Sequence, residues 1–515
     1  MTHALEVLPE HREFAFVFTP EIRTVLHPGR RQIRKADRTA PWPTDARYLP
    51  YLLPVLPNLL RLSYDIPTVD DTSKLTRFLT LAGILLGLAL TIAIGVYLVA
   101  TADPYEEGKT VIRWVVDPNP IRKEQIKLFE SKHPDIRVIN DPGAESQRLL
   151  TQLAGDVPPD VMAIYDPQTI QLFAKNDVLL DLGPYVQKYE LPVHRLYPNL
   201  KPYIYYKGKI VGIPENCGPF VLFYNKKIFR EAGIPYPRPG WTWDECLEVA
   251  KKLTTYKIVN GREFPVRKGL YVGNYNPWFF IWMHGGHLFS EDGKRCVVDS
   301  EEAKKGVRFW ADLRLKHHVT PTTSEAQSMA PTGAWGGDAL LFRESRIAMM
   351  ISGRWLAIQY REQKDLEWDV VSVPHGPNRV TLLASKCYSV PKTCRNKAGA
   401  LQFIRHLLGK DNQLLVANYG DGMPSLDDSE ITEAFLYNPE FPNELNNKLH
   451  LDEMEYARVQ EYSPYINNLD VVAVMSIELD KMWLGQQSPD EACDAIARRI
   501  NAIIRRNLAN PNFLG

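Results

Sequence analysis

An uncharged run of 25 residues, from Phe78 to Ala102, divides the chain into two unequal parts. As a helix, a run of this length would extend roughly 37 Å, enough to cross a hydrocarbon core of about 30 Å. A long buried core helix is the alternative, but such helices normally carry a polar stripe, and this run has only scattered Gly and Thr. The run therefore predicts one transmembrane helix over residues 77–102.

The charges that flank this run predict the orientation of the chain. Lys74 and Arg77 precede it, whereas Asp103 and Glu106 follow it. Because basic residues stay on the cytoplasmic side of a membrane, we expect a single-pass protein of the cytoplasmic membrane, with the N-terminus inside and the larger C-terminal region outside. Residues 1–76 contain nine prolines and charges of both signs, and we expect a poorly structured cytoplasmic tail, unless this segment reflects a start-site error.

Composition excludes several classes of function. The 61 basic residues balance the 61 acidic residues, so the chain has no long-range field that would gather nucleic acid. With 45% hydrophobic and 24% charged residues, the 515-residue chain is ordinary for a globular protein. The six cysteines are too sparse for a disulfide scaffold, and no Cys, His and carboxylate cluster has metal-ligand spacing. The sequence predicts neither a metal site nor a cofactor.

After residue 109, strand and helix patterns alternate. Short apolar strands are predicted at 111–116, 136–139 and 161–165, with amphipathic helices between them, which is typical of an α/β domain with a largely parallel sheet. Ligands of such sheets bind beyond the carboxyl ends of the strands, where Asn119, Tyr165 and Asp166 fall. Half or more of such loop residues only cap helices or close turns.

A set of short motifs follows in a fixed order along the same region. These motifs are Pro158-Pro159-Asp160-Val161, Tyr165-Asp166, Gly212-Ile213-Pro214, the stretch 222–229, Trp241-Thr242-Trp243-Asp244-Glu245, Gly285-Gly286, the stretch 342–350, Ser352-Gly353-Arg354-Trp355 and Gly422-Met423-Pro424-Ser425. As an ordered set over about 400 residues, they resemble the extracellular solute-binding protein family 1, the maltose-binding type of receptor for ABC sugar importers.

The resemblance implies a fold, an activity and partners. The fold is a type II periplasmic-binding-protein fold, two α/β lobes with mixed, mostly parallel sheets joined by crossing strands. Lobe 1 is expected to contain residues 109–218 and 388–422, and lobe 2 residues 222–382 and 423–515. The protein would be a monomer and not an enzyme, closing on a carbohydrate and delivering it to ABC permease subunits, with residues 78–102 in the membrane.

A sugar presents apolar C–H faces and a rim of hydroxyls, so its site needs aromatic rings beside polar groups. Asp166, Glu215, Asn216 and Asn274 are the candidates for hydroxyl binding, and Trp355 matches the family position of a stacking ring. The remaining aromatic candidates, each of which could instead pack in the core or anchor a lid, are Tyr275, Trp278 and Trp335.

Two further expectations concern cysteines and rival functions. Cys217 and Cys387 would both lie beside the lobe crossings of the family, which makes a disulfide between them a hypothesis. A cleft with carboxylates and aromatic rings also suits a glycan-active enzyme, although no pair of catalytic acid and nucleophile stands out. A membrane-tethered sugar sensor is the third possibility.

Overall fold

The computed structural model describes residues 79–92, 108–143, 149, 151–153, 158–273, 277–329, 337–442 and 444–510. Residues 79–92 form a helix whose leucine and isoleucine side chains are exposed. Within these described ranges, no helix is both long and apolar enough to cross a membrane. The tail 1–76 and the rest of the predicted span lie outside the described residues.

The compact unit Glu106–Gly515 contains the strands and most of the helices. The strands are β1 (Thr110–Val116), β2 (Ile136–Pro142), β3 (Val161–Ile164), β4 (Tyr205–Tyr206), β5 (Lys209–Ile210), β6 (Ile213–Pro219), β7 (Val221–Asn225), β8 (Thr255–Val259), β9 (Arg262–Tyr271), β10 (Ile347–Ser352), β11 (Trp368–Val371), β12 (Thr381–Ser389), β13 (Met423–Pro424) and β14 (Ala457–Arg458).

The α-helices of this unit are α1 (Ile121–Lys132), α2 (Pro167–Lys175), α3 (Lys201–Ile204), α4 (Lys226–Glu231), α5 (Trp243–Leu253), α6 (Trp278–Met283), α7 (Glu301–Leu315), α8 (Thr323–Met329), α9 (Gly337–Arg343), α10 (Ala357–Arg361), α11 (Lys397–Leu407), α12 (Lys410–Tyr419), α13 (Ser429–Leu436), α14 (Lys448–Asp452), α15 (Asn468–Trp483) and α16 (Pro489–Leu508). Short 3₁₀ helices lie at Gly183–Tyr185, Val193–Arg195, Pro198–Leu200, Arg354–Leu356 and Glu453–Tyr456.

Several helix starts follow from local capping chemistry. Thr242 and Glu245 form a reciprocal capping box at the start of α5, and Ser300 caps α7 by accepting the N–H of Ala303. The chain-terminal helix α16 begins with a second capping box, made by Ser488 and Glu491. These side chains satisfy N–H groups that the first turn of a helix leaves without a backbone partner.

The described strands form two main sheets, which confirms the predicted α/β fold. The first has the order β13-β6-β12-β3-β1-β2, with β14 beside β12, and the second has the order β11-β7-β10-β9-β8. Pairing is parallel around β1, but β12 is antiparallel to β3 and β6, and β7 is antiparallel to β10 and β11. The sheets are therefore mixed and less parallel than predicted, because the chain enters and leaves the lobes through β6, β7 and β12.

Separate hydrophobic cores accompany the two sheets. In β7, Leu222 and Tyr224 belong to one cluster, whereas Val221 and Phe223 belong to another, as expected for a strand buried on both faces. The first sheet packs in a cluster of its own that contains Trp114. We call the region around the first sheet lobe 1 and the region around the second sheet lobe 2.

The cores place one lobe boundary differently from the sequence prediction. Leu382 packs in lobe 2 and Leu383 in lobe 1, close to the predicted crossing. The buried apolar residues from Met423 to Ala457, however, pack in lobe 1 with the exception of Leu449, and the main core of lobe 2 resumes at Ile466. Because burial of apolar side chains defines a domain core, we propose that lobe 1 extends to about Val459 rather than ending at residue 422.

The chain crosses between these cores at three places in the described region. The first crossing lies between the end of β6 at Pro219 and the start of β7 at Val221, the second lies within β12 between Leu382 and Leu383, and residues 459–465 lead back to lobe 2. Gln168 at the start of α2 holds the last crossing, since its Nε2 donates to the carbonyls of Ser463 (2.8 Å) and Ile466 (2.7 Å).

Gly269 in β9 lets helix α5 lie directly on the sheet of lobe 2. A Cβ at this position would lie 2.0 Å from the carbonyl oxygen of Ala250. We expect Gly269→Ala to lower the free energy of unfolding by about 1–3 kcal/mol or more, because the helix has to move away from the strand. Urea unfolding of this variant beside Gly218→Ala, whose added methyl group would meet no atom within 4 Å, measures the effect. If both variants lose the same free energy of unfolding, the close packing of α5 on Gly269 is not the cause.

Candidate ligand-binding site

A cavity of about 490 Å³ lies where the two lobes meet. Lobe 1 supplies the ends of β1 and β3, the middle of β6 and β12, and the loop before β13, and lobe 2 supplies the turn after β10. Its lining residues are Asp117, Arg122, Tyr165, Asn216, Cys217, Trp355, Leu356, Ala384, Ser385, Lys386, Asp421 and Gly422. Three of the residues predicted from the sequence, Tyr165, Asn216 and Trp355, are among them.

Tyr165 contributes an exposed ring to this cavity. Its hydroxyl donates to Oδ2 of Asp117 (2.6 Å) and accepts from the Asp117 backbone N–H (3.2 Å), while 39% of the residue surface remains exposed. The hydroxyl is therefore already engaged, and the apolar face of the ring is what Tyr165 offers to a ligand.

Trp355 provides a second ring, from lobe 2. It is partly exposed, and its edge packs against Phe220 of the first crossing, with 5.5 Å between ring centroids. The indole folds back over Gly353, where a Cβ would lie 1.8 Å from the ring. Gly353 is thus required for the position of Trp355, which explains why Gly precedes Arg-Trp in this motif.

Buried charges form the floor of the cavity. Arg122, only 1% exposed, pairs with Asp117 (3.0 Å) and Asp421 (2.8 Å). Lys386, 3% exposed, pairs with Asp421 (2.8 Å) and Glu215 (2.7 Å). We call these five residues the floor cluster. Each buried charge has an opposite charge in contact, which is the condition under which charges are tolerated away from water.

Acid is expected to weaken the floor cluster. Burial alone would raise the pKa of Asp117 and Glu215, but the positive charges of Arg122 and Lys386 hold both pKa values below the ordinary range. A carboxylate with a lowered folded-state pKa contributes stability above its unfolded pKa near 4, and that contribution is lost as the pH falls through the folded value. The free energy of unfolding should therefore decrease below about pH 4, as measured by urea titration.

Asp117→Asn tests the cause of this pH dependence. The variant lacks one of the titrating carboxylates, so its free energy of unfolding should fall less steeply between about pH 4 and pH 2 than that of the wild type. Parallel curves for the two proteins would show that Asp117 contributes nothing to the acid sensitivity.

The other predicted polar residues lie beside or beneath the cavity rather than in its lining. Glu215 is fully buried, and its carboxylate also accepts a hydrogen bond from the hydroxyl of Tyr388 (2.9 Å). Asn119 is 2% exposed and donates to Asp421 (3.0 Å), while its Oδ1 accepts the N–H of Ile121. Asp166 caps α2 by accepting the N–H of Thr169 (2.7 Å). These residues support the floor and the helix starts.

The predicted aromatic residues divide between the core and the undescribed region. Trp278 begins α6 and is 4% exposed in the core of lobe 2, with its ring 6.2 Å from that of Trp282. It does not line the cavity. Asn274, Tyr275 and Trp335 lie outside the described residues.

The predicted disulfide is wrong. Cys217 and Cys387 lie on the neighbouring strands β6 and β12, but both thiols are free. Cys217 is opposite Ser385 and Cys387 is opposite Pro214, so the two cysteines are offset along the strands. A disulfide requires two cysteines that face each other closely, and this register prevents it. Burial raises the pKa of both thiols.

Sequence reasoning missed the cations of the floor cluster, although each leaves a local signal. Arg122 lies in the first turn of α1, where the helix dipole disfavours a positive charge. Lys386 is the one charged residue in the nine-residue strand β12, which is otherwise apolar or small. A lone cation in a buried strand or at a helix N-terminus requires a nearby carboxylate, and here Asp421 serves both.

This arrangement can bind a small polar molecule. Two aromatic faces from different lobes border one cavity, and Asn216, Ser385 and the floor cluster provide polar groups beside them. Two α/β lobes with such a cavity between them have the architecture of a two-lobed binding protein.

Residues 116–414 match the family model of the bacterial extracellular solute-binding protein. This match covers more than half of the chain, so the chain belongs to that family, and the family predicted from the ordered motifs is confirmed.

Known proteins agree with this assignment. A protein of Brucella abortus named as a binding protein is 23% identical over 446 residues, which are 82% of this chain and 98% of the relative. An ABC substrate-binding protein of Listeria monocytogenes in complex with cycloalternan has the same fold, with a TM-score of 0.68 and 23% identity over 77% of this chain and 99% of that one. A solute-binding protein of Thermotoga lettingae bound with α-D-tagatose gives a TM-score of 0.65 and 22% identity over 77% and 100%.

Proposed function

We propose that this solute-binding protein captures a sugar or oligosaccharide between its lobes and delivers it to the permease of an ABC transporter. The observation that carries the proposal is the pairing of Tyr165 and Trp355, one from each lobe, on the same polar cavity. Stacking of sugar C–H faces on both rings would favour the closed arrangement of the lobes, which a permease could then recognise. The bound sugars of the Listeria and Thermotoga proteins support this choice of ligand class.

The uncharged run 78–102 supports a membrane anchor for the receptor. In this proposal the run spans the cytoplasmic membrane, with residues 1–76 inside and the two lobes outside. An anchored receptor stays close to its transporter, at an effective concentration that short linkers can raise to about the millimolar range. Protease treatment of intact cells or spheroplasts, followed by detection of both termini, tests this topology.

A thermal-shift panel tests the ligand class. The full chain is heated with mono- and disaccharides, and with a polyol and a glycerophosphodiester as other solute classes. A ligand at 100 times its dissociation constant stabilises a protein by about 2.7 kcal/mol, which is easily measured. We expect a sugar to raise the melting temperature and to be recovered unchanged. A shift with the glycerophosphodiester alone would overturn the sugar assignment, and turnover of the sugar would overturn the receptor assignment in favour of an enzyme.

A further inference from the structure

A segment of lobe 1 packs against lobe 2 beside the cavity. It comprises residues 437–442 and 444–449, from the end of α13 into the first turn of α14, and we call it the arm. Phe435 before the arm and Met454 after it lie in the core of lobe 1, whereas Leu449 packs in the cluster of lobe 2 that contains Trp368. The arm thus starts and ends in one lobe and buries side chains against the other.

Glu444 is the main polar contact between the arm and lobe 2. Its Oε2 accepts from Nη2 of Arg354 (2.6 Å), and its two carboxylate oxygens accept from Nε (2.6 Å) and Nη2 (2.8 Å) of Arg361. All three side chains are buried, with exposed fractions of 1% for Arg354, 6% for Glu444 and 5% for Arg361. The bidentate geometry with Arg361 fixes orientation as well as charge.

Further contacts surround this ion pair. The guanidinium of Arg361 lies 4.0 Å from the ring centroid of Phe441 in the arm. Asn446 donates through Nδ2 to Asp369 of β11 (3.0 Å). The arm therefore contacts lobe 2 through the carboxylate of Glu444, the side-chain amide of Asn446 and the ring of Phe441.

Both arginines adjoin walls of the ligand cavity. Arg354 immediately precedes Trp355, the ring contributed by lobe 2. Arg361 donates through Nη1 to the carbonyl of Asn418 (2.6 Å), three residues before Asp421 of the floor cluster. A change in the position of either guanidinium would move Trp355 and the floor relative to each other.

The charge balance makes Glu444 necessary. Burial lowers the pKa of Arg354 to about 10, and Glu444 opposes this effect whereas Arg361 adds to it. Without the carboxylate, two buried guanidinium groups would face each other with no shared counterion. Buried like charges repel strongly at low dielectric, so the arm and the two arginines would separate.

We propose that Glu444 is a positioning residue of the ligand site, which holds Trp355 against the floor cluster by pairing with both Arg354 and Arg361 across the lobe interface. The effect on ligand binding rests on the proposed function, whereas the effect on the lobe interface does not.

Glu444→Gln in the full chain tests the proposal, with Glu478→Gln as a matched control. Glu478 is also a buried glutamate, 3% exposed, and also pairs with two cations, Lys481 and Arg499, but all three lie in α15 and α16 of lobe 2. Hydrogen exchange of the ligand-free proteins is measured for peptides covering residues 353–361 and 416–424. We expect Glu444→Gln to speed exchange in both peptides by about tenfold or more, and the control to leave them unchanged.

Solute affinity is the second measurement, made with whichever sugar of the panel binds the wild type. Glu444→Gln should raise the dissociation constant by about tenfold, and Glu478→Gln should not, even if both melt at lower temperature. Arg361→Lys, which keeps the charge but loses the bidentate pair, is the milder variant if Glu444→Gln fails to fold. Unchanged exchange in both peptides would overturn the proposal. Failure of every sugar to bind the wild type would overturn the proposed ligand class, while the exchange result would still decide the role of Glu444.

Discussion

We expect Lys386→Met to lower the free energy of unfolding by about 3–5 kcal/mol, which is the largest effect on stability that we predict for a single substitution. The substitution leaves Glu215, fully buried, and Asp421, 4% exposed, without the ammonium group that lies 2.7 and 2.8 Å from them. Arg122 would then be the one cation left among the three carboxylates of the floor cluster, and Glu215 would lose its ion pair, so the cost is that of an uncompensated charge in a low dielectric. Urea unfolding of the full chain measures it.

Two further variants separate this effect from a general loss of charge. Lys132→Met removes one partner of the exposed pair with Asp411, where both side chains are about half exposed, and should change stability by no more than about 1 kcal/mol. Adding Glu215→Gln to Lys386→Met should restore part of the lost stability, because it removes the unpaired carboxylate. A loss for Lys386→Met no larger than that for Lys132→Met would contradict the floor cluster as a buried, paired network.

Trp355→Ala should weaken sugar binding by about a hundredfold, the largest expected effect on function. The indole is the aromatic group that lobe 2 presents to the cavity, and its removal costs both the stacking surface and the exclusion of water around it. A hundredfold change corresponds to about 2.7 kcal/mol, which titration calorimetry resolves. Because Trp355 is only partly buried, the variant should remain folded.

Conservative variants show whether the ring itself is responsible. Trp355→Phe retains an aromatic face and should recover most of the lost affinity. Gly353→Ala leaves the indole in the sequence but displaces it, since the added methyl group would overlap the ring, and should behave like Trp355→Ala. If Trp355→Ala binds sugar as the wild type does, the ring does not contact the ligand and the cavity requires a different solute.

Local sequence signals predicted the elements well. The strands expected at 111–116, 136–139 and 161–165 are β1, β2 and β3, because short apolar runs bounded by Pro, Asp and Gly leave little alternative. The capping box of Thr242 and Glu245 and the cap at Ser300 likewise depend on residues close together in the sequence.

The candidate site was only partly predictable, because its main interactions join residues far apart in the sequence. Arg122 and Asp421 lie in contact at 2.8 Å, and neither residue alone indicates its partner. Family motifs led to Trp355, whereas Glu215 and Trp278 were expected at the ligand and proved to be buried. A motif identifies a segment near the site, but the direction of each side chain depends on strand register and packing.

The position of β12 in the first sheet has a consequence for how the protein is made. The strand lies between β6 and β3, both synthesised long before it, so the sheet of lobe 1 stays incomplete until residues 381–389 have left the ribosome. The core of lobe 2 is also incomplete until the end of synthesis, since α15 and α16 at the end of the chain supply part of it. Contacts of such long sequence separation form slowly. Completion of either lobe therefore depends on residues that are synthesised late.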